Sequence, residues 1–187
     1  KNMCGIAGMV NTKSGQFDLK PAAGLVMQQL LHRGPDDNGI YISEDGLCAL
    51  VHTRLSIIDL SPAGHQPMST PDGRFRITFN GEIYNYRELR NELEQQGEVL
   101  VSHSDTEVIL RLYARYGPDC LHRLRGMFAF AVWDTQQKKL FIARDRLGIK
   151  PLYFYAGEDR MVFASEVRAI LASGFVARQL DPIALNE

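Results

Sequence analysis

The sequence predicts an α+β fold in which largely antiparallel sheets stack against one another, with helices flanking them. Three observations carry this reading. About nine short strand patterns follow one another in hairpin-like series, not in the strict strand–helix alternation of a parallel sheet. The helical patterns, about four or five, come as a few insertions between those series. Gly126 to Trp133 is almost wholly apolar, the mark of a strand buried on both faces.

In chain order, Cys4 to Val10 reads as a short apolar strand that leaves into a turn at Lys13-Ser14-Gly15. Pro21 to Leu31 has the apolar spacing of an amphipathic helix, with Pro21 suited to its first turn. It stops at the polar run His32-Arg33-Gly34-Pro35-Asp36-Asp37-Asn38-Gly39. Strands are expected over Gly39–Ile42, Leu47–Arg54 and Arg74–Phe79, with loops at Ser61–Gly64 and Thr70–Gly73. Asn80-Gly81-Glu82 closes the last of these and passes into irregular backbone. Tyr86 to Gln96 is helical by pattern, and Gly97 is a natural stop. Ser104 reads as an N-cap, with Glu107 three residues on as in a capping box, for a helix to about Tyr116. Beyond Trp133, Lys139–Arg144, Leu152–Tyr155 and Met161–Ala164 read as strands, and Glu166 to Leu171 as a short helix.

The 187 residues, 45% of them hydrophobic, suffice for one domain with a sizeable core, or for two small ones. A net charge of −1 provides no electrostatic footprint for nucleic acid or an anionic membrane, so neither is expected as a partner. No apolar run approaches the roughly 18 residues of a membrane span, and no hydrophobic leader stands ahead of Cys4. Three cysteines (Cys4, Cys48 and Cys120) without a CxxC pair argue against a disulfide framework or a structural zinc site. A reducing cytoplasm is the expected compartment.

Chemistry is sought first at Met3-Cys4-Gly5-Ile6-Ala7-Gly8. Were the residues ahead of Cys4 removed, one residue would carry both a thiol and a free α-amine, and the amine could take the thiol proton. Taken alone, the hexapeptide reads sooner as a first strand with a small buried cysteine. Asn80 and the Gly81 N–H could serve as donors to a developing oxyanion; on its own the dipeptide is also an ordinary Asn-Gly turn. Arg54, at a strand end, could clamp a carboxylate or make a surface salt bridge. Asp105 lies in the first turn of its helix, where the dipole favours a carboxylate, and could instead turn inward to hold an ammonium. His32, Asp36, Asp37, His52 and His65 match no ligand motif, so no metal is expected. Ser56 lacks a GxSxG context, and neither a Walker A loop nor GxGxxG is present. Cys48 and Cys120 read as core thiols.

Together these pieces resemble the glutaminase domain of class II glutamine amidotransferases, in the version carried by glutamine-hydrolysing asparagine synthetases. Matching stretches run nearly end to end: Met3 to Gly8, His32-Arg33-Gly34-Pro35-Asp36, Arg54-Leu55-Ser56-Ile57, Phe79 to Asn85, Ser104 to Glu107, Gly126 to Phe130, and Ala143 to Tyr153. The resemblance implies that residues 1–187 form one domain of the N-terminal-nucleophile hydrolase fold, a four-layer αββα sandwich of two antiparallel sheets. It implies glutamine as substrate, with Cys4 attacking the side-chain amide, its own α-amine as base, and Asn80 with the Gly81 N–H holding the oxyanion. By the same resemblance Arg54 binds the α-carboxylate, Glu82 and Asp105 contact the α-amino end, and Ile57 lies beside the substrate. The His32–Asp37 loop is expected to brace the site, and Arg144 to Lys150 to face a partner domain.

The resemblance further implies a covalently linked synthetase domain that receives the ammonia, with ATP and magnesium needed only there and no cofactor here. Lys1-Asn2-Met3 ahead of Cys4 is unexpected for this family. Met3 is read as a native initiator and Lys1-Asn2 as a non-native extension that blocks its removal, with a propeptide as the alternative. Asp181 to Leu185 reads as the first turn of a linker helix, so the chain is expected to be an excised domain. The patch around Arg144–Tyr153 could then pair with another copy, which makes a homodimer an expectation. Two alternatives stay open: a domain that binds glutamine without turnover, and the glutaminase half of an amidotransferase with a different acceptor.

Overall fold

A computed structural model describes residues 3–13, 17–55 and 62–179. The first sheet holds five strands in the order β2 (Asp37–Ile42), β3 (Cys48–Arg54), β1 (Gly5–Asn11), β9 (Arg160–Ala164) and β8 (Tyr153–Ala156). The second holds four, in the order β4 (Met68–Ser69), β5 (Phe75–Ile83), β6 (Gly126–Asp134) and β7 (Lys139–Arg144). Every pairing is antiparallel. The expected α+β sandwich is thus the observed architecture.

The layers follow from the period-2 alternation of the central strands. In β6, Ala129, Ala131 and Trp133 face the other sheet, where they meet Ile6, Cys48, Leu50 and Phe163. The alternate residues Phe128, Phe130 and Val132 face outward and are covered by α2 (Tyr86–Gln95) and α3 (Asp105–Tyr116). In β1, Ala7 and Met9 turn away from the second sheet onto α1 (Leu19–Leu30) and α4 (Val167–Ala172). Both faces of β1 and of β6 are therefore dry, which is why neither strand alternates polar with apolar.

Most differences from expectation lie at element ends. α1 starts at Leu19 because the Asp18 carboxylate accepts from the Lys20 N–H and caps it. β5 runs on through Asn80 and Gly81 to Ile83, so Asn80-Gly81-Glu82 is strand and not the irregular backbone expected. Ser104 caps α3, its hydroxyl accepting from the Thr106 N–H, but the capping box does not close. Glu107 reaches past Ser104 instead, to the N–H groups of Val101 and Ser102 and the Ser102 hydroxyl. The two-residue β4 and the 3-10 segment Gly117–Arg123 had no sequence signal strong enough to assign. The Asp181–Leu185 turn lies outside the described residues, as does most of the Lys13-Ser14-Gly15 turn.

Trp133 is 1% exposed and is the largest side chain between the sheets. Trp133→Ala should cost about 3–5 kcal/mol in urea-induced unfolding. A loss below about 1 kcal/mol would show that the layer between the sheets does not rest on it.

Candidate active site

A pocket of about 80 Å³ opens at the end of the sandwich where β1 begins, β3 ends and α3 starts. Cys4 directly precedes β1, the middle strand of its sheet. The antiparallel register places Gly5 opposite Thr53, so Cys4 and Arg54 emerge side by side. The Cys4 thiol sits against the backbone of Leu55: Sγ accepts from its N–H at 3.3 Å and donates to its carbonyl at 3.5 Å. Burial pushes the thiol pKa up, and the nearby Arg54 and Lys150 charges oppose that shift.

The backbone around Cys4 is held by the polar loop after α1. Arg33 Nε donates to the Cys4 carbonyl at 3.0 Å, the Met3 N–H donates to the Arg33 carbonyl at 3.0 Å, and Arg33 Nη1 pairs with Glu166 at 3.1 Å. Glu166 also receives His32, which ties this loop to the start of α4. Gly34 runs so close to β3 that a Cβ would lie 2.5 Å from Arg54 backbone atoms, hence the glycine.

Across the pocket stands β5. The Phe79 N–H donates to Gln66 Oε1 at 2.7 Å and the Ile83 N–H to Asp105 Oδ2 at 3.0 Å. Both point away from β6. Gly81 lies midway between them, and strand alternation aims its N–H the same way, into the pocket it lines. A Cβ at Gly81 would stand 2.8 Å from the Phe128 Cα on the neighbouring strand, so no other residue fits there without displacing β6. The Asn80 side chain is 2% exposed, and among the described residues its Nδ2 has no hydrogen-bond partner. A buried amide left without a partner costs about 1–3 kcal/mol unless something else fills the position.

Arg54, 8% exposed, lines the same pocket and lies 4.0 Å from Asp37, whose Oδ2 also takes His65 Nδ1 at 2.8 Å. Asp105 lines the pocket at the first residue of α3. Its pKa is pushed up to about 6 by burial, against the backbone N–H groups of Ile83, Thr106 and Asp105 itself, with Glu82 adding to the rise. So the Asp105 carboxylate turns inward, and capping falls to Ser104.

The structure thus brings together Cys4, Arg54, Asn80, Gly81 and Asp105. Glu82 is exposed and stands outside the pocket wall. Ile57 lies outside the described residues. Sequence reading missed Gln66, which spans from Phe79 to the Thr106 hydroxyl at 3.1 Å, and Lys150. The Arg144–Lys150 stretch is only partly the surface it was expected to be. Leu147 and Ile149 are exposed, but Asp145 and Lys150 are buried, and Lys150 lines the pocket. Asp145 collects the N–H groups of Phe128, Leu147, Ile149 and Lys150, a pattern a lone Asp-x-x-Gly would not announce. Among the described residues no group of three or more His, Cys, Asp or Glu side chains could hold a metal ion, and no helix is long and apolar enough to cross a membrane.

A cysteine just ahead of the middle strand, sharing a pocket with the unpartnered Asn80 amide at one end of an αββα sandwich, is the layout of the N-terminal-nucleophile hydrolase fold. The solved glutamine phosphoribosylpyrophosphate amidotransferase of Bacillus subtilis shares the fold, with a TM-score of 0.76 and 23% identity over 91% of this chain and 44% of that one. The glutamine amidotransferase domain model matches residues 3–187, and the chain belongs to that family. It is 40% identical, over 99% of its length, to a B. subtilis protein named asparagine synthetase [glutamine-hydrolyzing] 3, and 41% identical, over 90%, to asparagine synthetase B of Escherichia coli. It spans 30% of the length of each of these relatives.

An aspartate whose pKa rises on folding binds its proton more tightly in the native state. The contribution of Asp105 to stability is therefore greatest below the ordinary value of 3.8 and is lost as pH rises towards about 6. The fall should be on the order of 3 kcal/mol, and Asp105→Asn should abolish it. Carboxyl NMR of the native protein should show Asp105 titrating near 6; an ordinary titration there would show that its backbone hydrogen bonds outweigh its burial.

Proposed function

We infer that this domain hydrolyses the side-chain amide of glutamine to glutamate and ammonia through a γ-glutamyl thioester on Cys4. The observation that carries the reading is the buried, unpartnered Asn80 amide facing the same pocket as the Cys4 thiol. An acyl-transfer site needs such donors, preorganised and dry, where negative charge develops.

In this reading the free α-amine of Cys4 takes the thiol proton, and Sγ attacks the amide carbon. The carbonyl oxygen becomes an oxyanion held by Asn80 Nδ2 and the Gly81 N–H. The amine returns its proton to the leaving nitrogen, ammonia departs and the thioester remains. Water, deprotonated by the same amine, then adds to the thioester carbon, and collapse releases glutamate and restores the thiol. Arg54 fits the α-carboxylate and Asp105 the α-ammonium, whose charge would draw the Asp105 pKa down. Glu82 would add to this from the rim. An amide nitrogen is no base, so the step requires cleavage ahead of Cys4. Met3, which forms part of the pocket wall, would leave with it.

The names of the relatives and their greater length support a linked ATP-dependent domain that uses the ammonia to make asparagine. On that reading ATP and magnesium belong to the linked domain, the whole is cytoplasmic, and the exposed Leu147, Ile149 and Tyr153 lie towards other protein.

The test is glutamate release from glutamine. A chain beginning at Cys4 should be active, and one retaining Met3 silent. Cys4→Ala should abolish release, and Asn80→Ala should lower kcat by about 10²–10³. Release that survives Cys4→Ala would overturn the reading.

A further inference from the structure

Lys150 is a lysine in a place where lysines are rare. It is 7% exposed, lines the pocket, and donates from Nζ to the Met3 Sδ at 3.5 Å. The carboxylates of Glu82 and Asp145 act on it only from a distance. Its position is not an accident of a loose loop. Its N–H is held by Asp145 Oδ2 at 3.1 Å, and its carbonyl by Arg144 Nε at 2.6 Å. The backbone is pinned at both poles, and the side chain is directed to the segment that carries Cys4.

The other charges around Cys4 are already engaged. Arg33 is held by the Cys4 carbonyl and Glu166, and Arg54 stands against Asp37. Asp105, facing from α3, is bonded to the Ile83 N–H. Glu82 on β5 is exposed. The Lys150 side chain reaches the residue ahead of Cys4. Cleavage ahead of Cys4 removes the Met3 thioether from Nζ and leaves a cation whose charge already acts on Cys4.

We propose that Lys150 acts through Cys4: its buried ammonium repels the extra proton from the amine–thiol pair and so keeps the nucleophile ready at neutral pH. This rests on the N-terminal-nucleophile reading above. A neighbouring cation disfavours the α-ammonium and favours the thiolate. Both effects have the same sign for the pair. The pair therefore holds fewer protons at a given pH, whichever of its two groups carries the shared one. Burial works against the charge of Lys150 itself, and the Cys4 thiolate supports it.

The experiment uses the full-length protein matured to begin at Cys4, with kcat/KM for glutamine hydrolysis measured from about pH 5.5 to 9.5. Lys150→Met should move the acid limb up by about one pH unit, roughly tenfold lower activity below the limb, converging with wild type at alkaline pH. Lys150→Gln should move it equally, and Lys150→Arg should leave it in place. The rate of Cys4 alkylation by iodoacetamide should shift in the same direction and needs no turnover. Coincident acid limbs in wild type, Lys150→Met and Lys150→Gln would overturn the proposal, as would a loss of rate that is uniform in pH. Absence of glutamate release from wild type would overturn the hydrolase reading instead, and the alkylation profiles would still decide the coupling of Lys150 to Cys4.

Discussion

Two hydrogen bonds that cross from sheet to sheet determine where everything else in this molecule sits. The Thr78 hydroxyl donates to the Val51 carbonyl at 3.0 Å, and His52 Nε2 lies 3.1 Å from the Phe79 carbonyl. Packed sheets otherwise meet through apolar side chains, which tolerate sliding far better than a hydrogen bond does. These bonds fix β3 against β5, and β3 in turn fixes β1 through the Gly5–Thr53 register. The separation of Cys4 from Asn80 is therefore set by backbone carbonyls. His52 serves as the donor, the Phe79 carbonyl accepting from its Nε2–H. Full burial depresses its pKa to about 3, so it stays neutral.

The framework was legible because local pattern and burial agree. β7 was assigned at both ends, and the doubly apolar run of β6 and the cap of α3 follow from period and capping chemistry. Legibility failed where a residue answers to a partner distant in sequence. Asn80 and Gly81 carry a strong turn signal, yet Ala129 and Phe128 pair with them as strand. Glu107 sits at the capping-box position, but Val101 and Ser102 offer it more donors than Ser104 does. Lys150 was read as surface with its exposed neighbours Leu147 and Ile149; only the Asp145 cradle turns it inward. Of the site itself, Cys4, Arg54, Asn80, Gly81 and Asp105 were each chemically plausible from the residues alone. That they share one pocket rests on the topology of both sheets.

The pocket concentrates groups held away from their preferred solvation. Burial raises the pKa values of Cys4 and Asp105 and lowers that of Lys150, while the Asn80 amide has no partner among the described residues. Each of these opposes folding, and together they would collapse or hydrate a loosely built cleft. What prevents this is polar bracing placed just behind them. Arg33 joins the Cys4 carbonyl to Glu166, Gln66 joins β5 to α3, and Asp145 gathers four backbone N–H groups.

The bracing draws on every layer of the sandwich. Arg33 follows α1 and Glu166 precedes α4, on one flank; Gln66 ends at Thr106 on the other; Asp145 leaves the outermost strand of the second sheet. Such an arrangement explains why the chemically active groups need so few direct contacts with one another. Their geometry is transmitted through backbone: Arg33 holds the carbonyl of Cys4, Gln66 and His52 hold the N–H and the carbonyl of Phe79, and Asp145 holds the N–H of Lys150. The side chains of Cys4, Asn80 and Lys150 are then left to face the pocket. A site braced in this way is rigid where a substrate must be aligned, and its donors remain open where charge must be received.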